Sequence, residues 1–125
     1  SCSPVNRGEL KGAKIMKHFE LVSRTNDIFR KTLARRLGVV AISRKVRVLP
    51  ADRKRELFNL VRGEHSFSVA AAVDYHDVGV VHLDREQYVF RIEYREKGSG
   101  ERIPVNQVHP DRCFRVLRIL HTYEA

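Results

Sequence analysis

At 125 residues the chain is close to the commonest size for one domain, and 42% apolar residues suffice for a core, which excludes wholesale disorder. No stretch approaches the ~18 apolar residues that a membrane-spanning helix needs, so no membrane partner is expected. A net charge of +9 says nothing about fold but favours an anionic partner, either nucleic acid or an acidic protein.

Residues 1–15 are polar, carry Pro4, Gly8 and Gly12, and show no periodicity. Lys11-Gly12-Ala13 ahead of Met16 suits a translated purine-rich ribosome-binding sequence, which would make Met16 the native start. Residues 1–15 are therefore expected to be a disordered leader, and 16–125 a single α+β domain. The leader's net +2 leaves +7 on that domain. From His18 to Arg36, Phe19, Val22, Phe29 and Leu33 mark one helix face, with Asn26 in the stripe, Ser23 as a point where the helix could break, and Gly38 as a stop. Val39–Ser43 is β-branched and predicts a strand, which Arg44–Val48 extends or flanks as an edge strand. Pro50 and Asp52 open a second helix, carried by Leu57, Leu60 and Val61 and ended at Gly63. Residues 65–75 fit either strand or loop.

The pattern is clearest from Asp77 to Arg95. Gly79, Val81 and Leu83 alternate with Val78, Val80 and His82; Asp84-Arg85-Glu86 turns; Tyr88, Phe90, Ile92 and Tyr94 then alternate with Val89, Arg91, Glu93 and Arg95. This predicts a hairpin with its aromatic side in the core; the same side could instead seal a homodimer. Lys97–Arg102 reads as a loop. Pro110 and Asp111 open a final helix in which Cys113, Val116, Leu117 and Leu120 follow helical spacing. The fold expected is α+β: a small antiparallel sheet of about three strands, hairpin included, against two or three helices.

Several residues carry a resemblance. Asn26-Asp27 with Arg30 and Thr32, Val39-Val40, Val46 to Pro50 with Arg55, and Val61-Arg62 come first. His76-Asp77-Val78-Gly79, Phe90-Arg91-Ile92-Glu93-Tyr94, Arg115-Val116-Leu117 and Glu124 complete the set. In that order, over about residues 23–124, the chain resembles a bacterial family, the domain of unknown function 3768. Asp74-Tyr75 and Phe90 depart from its Gly-Glu and Trp. The resemblance implies no activity. It does imply an origin on mobile elements, which would fit a gene cassette with a translated leader.

Candidate chemistry is sparse. His76 and His82 would lie roughly 20 Å apart along a strand, and no CxxC or HExxH spacing occurs, so no metal and no cofactor is expected. There is no GxSxG nucleophile and no phosphate-binding glycine loop. Two cysteines, Cys2 and Cys113, make no disulfide framework, and no secretory signal is visible, so the cytoplasm is the expected compartment. His76 and Asp77, at the start of the hairpin, fit a general-base pair or a capped strand end. Asn26, on an apolar stripe, must bond a loop or a ligand. With Arg30 these form a candidate polar cluster: Asn26, Arg30, His76 and Asp77. A candidate anion-binding group comprises Arg35, Arg36, Arg44, Lys45 and Arg47 around the first helix–strand junction, with Arg112, Arg115 and Arg118 as a stripe on the last helix. The leading expectation is a basic binding module, accessory to mobile DNA. The alternative is a small enzyme or small-molecule-binding protein with a pocket between sheet and helices.

Overall fold

A computed structural model describes residues 16–64, 75–110 and 112–125. The expected leader, its Cys2, and residues 65–74 of the ambiguous stretch 65–75 lie outside the described residues.

The first helix, α1, spans His18–Thr32. Glu20 accepts the Lys17 backbone N–H at 3.1 Å and so satisfies one of the unpaired donors at the helix start. The helix is not broken at Ser23, whose hydroxyl donates back to the Glu20 carbonyl. It ends four residues before Arg36, because Leu33 turns left-handed (φ 54°) and its N–H closes on the Phe29 carbonyl. Gly38 is therefore not a helix stop. It begins strand β1, Gly38–Ile42, where a Cβ would run into the Arg115 carbonyl of the neighbouring strand.

Ser43 then accepts the Val46 N–H and starts a one-turn helix, α2, Arg44–Arg47, in place of the expected edge strand. Helix α3, Ala51–Gly63, follows from Pro50 and buries Leu57 and Val61.

Strands β2 (Val78–Leu83) and β3 (Glu86–Glu96) form the expected hairpin. Asp84 and Arg85 both adopt positive φ (51° and 69°), which matches the twist of a two-residue hairpin turn. Arg53 of α3 holds that turn through both Asp84 oxygens, at 3.0 and 3.1 Å. A short β4, Arg102–Ile103, pairs with the far end of β3.

The expected final helix is instead a strand, β5, Cys113–His121, lying between β1 and β3. The order is β1-β5-β3-β2, with β4 on β3 and β1 parallel to β5, so the sheet is mixed and five-stranded rather than a small antiparallel one of about three strands. The α+β class stands. The helical reading fails because β5 buries residues on both faces: Cys113, Arg115, Leu117, Ile119 and His121 on one, Leu120 on the other. Apolar residues on both faces blur the two-residue period into a false helical one.

The helices pack on one face of the sheet. Tyr88, Phe90, Ile92, Tyr94, Leu117 and Ile119 meet Val22, Phe29, Leu57 and Val61 there. Gly79 is required at this face, since a Cβ would strike the Phe90 ring opposite it. The aromatic side of the hairpin is thus covered by the chain's own helices. By strand register the other face carries Val39, Val78, Val80, Arg91, Glu93, Arg95, Arg102, Phe114, Val116 and Arg118. Among the described residues no helix covers it; Val39, Val78 and Val80 are exposed, and Leu120, though buried, stands outside the main core.

Candidate functional site

Asn26, Arg30, His76 and Asp77 come together at the seam between α1 and the start of the hairpin. Asn26 is fully buried; its Nδ2 donates to the Tyr94 hydroxyl at 2.7 Å and to the Tyr75 carbonyl at 2.8 Å. Its Oδ1 accepts Arg115 Nε at 2.6 Å. Tyr94 in turn donates to Asp77 at 2.9 Å. Burial first, and the nearby Asp77 charge second, push the Tyr94 phenol well above its ordinary pKa, so it remains a donor.

Arg30 is 1% exposed. It donates to Asp27 at 3.2 Å and to the carbonyls of Glu64 and His76, and its guanidinium lies over the Phe90 ring. Two buried arginines, Arg30 and Arg115, would each cost several kcal/mol if unpaired, so these bonds are a condition of the fold. At the outer edge of the network, His76 adopts φ 54° and sets Nδ1 3.1 Å from both oxygens of Asp27. Both side chains are about a third exposed. An Nδ1–H donated to Asp27 makes Nε2 the proton-accepting nitrogen.

The expected anion-binding group is not brought together. Arg35 and Arg36 are exposed ahead of β1, while Arg44, Lys45 and Arg47 are exposed beyond its other end, about 13 Å away along the strand. Arg112 is exposed before β5, Arg115 is buried under the helices, and Arg118 points to the opposite face. The stripe Arg112, Arg115, Arg118 needed a helix and disappears with it.

A different basic group takes its place on the sheet face opposite α1 and α3. Arg91 lies directly across from Arg118, and Arg95 directly across from Arg102. Glu93 is the carboxylate among them, accepting from Arg118 at 2.5 Å and Arg95 at 3.2 Å. The Arg118 bond, against the opposing effect of burial and with help from Arg95 and the Arg102 charge, holds Glu93 below the usual carboxylate range. Arg91, Glu93 and Arg102 also line a cavity of about 210 Å³ in the notch between the start of β2 and the end of β4 along the edge of β3. The alternation of Arg91, Glu93 and Arg95 was visible in the sequence; Arg102 and Arg118 join them only through pairing. Asp27 went unremarked as a partner because forty-nine residues separate it from His76. Among the described residues no group of three or more His, Cys, Asp or Glu side chains is placed to hold a metal ion, and no helix is long and apolar enough to cross a membrane.

Residues 42–124 match the family described as "Protein of unknown function (DUF3768)". The chain belongs to this family. No curated protein and no solved structure matches it. The DUF3768 segment supplies His76, Asp77, Tyr94 and Arg115 of the polar network and the whole arginine face. Asn26, Asp27 and Arg30 lie on α1, ahead of the matched residues.

Proposed function

We propose that the protein binds nucleic acid through the face of its sheet opposite α1 and α3. The observation that carries this reading is the pairing of like charges there: Arg91 opposite Arg118 and Arg95 opposite Arg102. Like charges directly opposite destabilise a sheet, and one glutamate offsets four arginines only in part. A phosphate backbone would supply the missing negative charge, and the net charge of +9 would draw it in. Such a protein suits a cytoplasmic accessory of mobile DNA.

The test is fluorescence anisotropy with labelled single-stranded and duplex oligonucleotides over a salt series. Affinity should fall steeply with salt, and Arg91→Gln should weaken binding and reduce the salt slope by roughly 0.7–0.9. Absent binding, or an Arg91→Gln protein that binds as well as wild type, would reject the reading; binding to an acidic protein alone would redirect it.

The second reading, a small enzyme, is favoured by the Asp27–His76 pair, in which a carboxylate orients an imidazole of a kind used as a general base. Wild type would then turn over model phosphodiesters or esters and His76→Gln would not. No turnover by wild type removes it.

A further inference from the structure

We infer that the bound nucleic acid is single-stranded and seats one base against Phe114. The inference rests on the nucleic-acid reading above and narrows it. At one end of the arginine face lies an open concavity of about 460 Å³, within the size range of ligand sites. Phe114 and Val116 of β5 form its floor, and Arg95, Lys97, Gly98 and Gly100 form its wall, with Glu96 also lining it.

Two glycines leave part of the wall without side chains. Gly98 and Gly100 both have positive φ (100° and 74°), and a Cβ on either would meet nothing within 4 Å. The turn therefore presents backbone with open space beside it, room for a flat ring. Phe114 sits directly across from Arg95 in the sheet and is only partly buried. The Arg95 guanidinium is already pinned, donating to the Gly100 carbonyl at 3.1 Å and to Glu93 at 3.2 Å. Lys97 adds a second cation.

An aromatic platform beside two cations is the arrangement that holds a base by its π-face and its phosphate by charge. A duplex cannot use it without unstacking a base, because the π-faces of its bases are covered by their neighbours and only their edges show in the grooves. The remaining arginines, Arg91, Arg102 and Arg118, continue along the same face and would follow the backbone beyond that base.

The experiment compares three probes at one salt concentration: an intact single strand of about twelve nucleotides, an abasic strand of the same length, and the intact strand's duplex. The intact single strand should bind about 5- to 100-fold more tightly than the abasic strand. Phe114→Leu, checked for an unchanged unfolding midpoint, should bring the intact strand down to the abasic level. A measurement that needs no variant is the Phe114 ring proton resonances, which should move upfield with the intact strand and stay in place with the abasic one. Equal binding of intact and abasic strands, or ring resonances that do not move, overturns the base site and leaves phosphate binding standing. If no probe binds, the nucleic-acid reading fails as well.

Discussion

Asn26 shows how much a single buried amide can carry. It bonds α1 to Tyr94 of β3, Arg115 of β5 and the Tyr75 carbonyl, so three parts of the chain meet on one side chain. Replacing it by alanine leaves a buried guanidinium and a buried phenol short of a partner. Asn26→Ala should therefore destabilise the fold by about 3 kcal/mol, read as a lower urea midpoint. A loss under about 0.5 kcal/mol would mean that the network is not a structural tie. The need for partners was legible in the sequence, since an amide on an apolar helix stripe must bond something. Their identity was not, because Tyr94 and Arg115 lie far along the chain and Arg115 looked like a surface residue.

At the level of elements, β3 organises the molecule. Its even positions build the core and its odd positions carry Arg91, Glu93 and Arg95, so one strand serves both faces. Glu93 makes this face pH-sensitive. Its folded pKa lies below the ordinary carboxylate value of about 4.3, so its contribution is fully present above that value and is lost as pH falls through the lower folded one. Glu93→Gln should accordingly lose less stability than wild type as pH falls below the ordinary carboxylate value of about 4.3, measured by denaturant unfolding at each pH. Equal losses would mean that Arg118 and Arg95 do not hold the carboxylate. The hairpin was readable because Tyr88, Phe90, Ile92 and Tyr94 alternate with Arg91, Glu93 and Arg95, broken only by Val89. Strand β5 was not, because it is sandwiched between two strands, buries Leu120 on the open face, and carries the buried Arg115 where an apolar residue would have marked the period.

For the whole molecule, the arginine face sets stability against binding. Relieving the Arg91–Arg118 opposition should leave Arg91→Gln at least as resistant to thermal unfolding as wild type, even as it binds nucleic acid less well. A clear drop in its unfolding midpoint would show that Arg91 serves the fold. The C-terminus contributes to the same unit from a distance. Glu124 accepts from the Ser43 hydroxyl at 2.5 Å and from the backbone of His121 and Lys45, tying the end of β5 to the junction of β1 and α2. Burial opposes ionisation of Glu124, but the bonds from Ser43, His121 and Lys45 outweigh it and keep its pKa low.

Composition and local pattern were enough to establish a basic α+β chain, its first and third helices, its aromatic hairpin and the residue types of the polar cluster. Each of these follows from contacts between near neighbours, at a spacing of two or of three to four residues. Which strand lies beside which, and hence which arginines share a face, came from pairings between distant segments. Arg115 and Arg118 are three residues apart, yet strand geometry sends one into the core and the other to the open face. Helical spacing would have put them side by side, and no local signal separates the two outcomes.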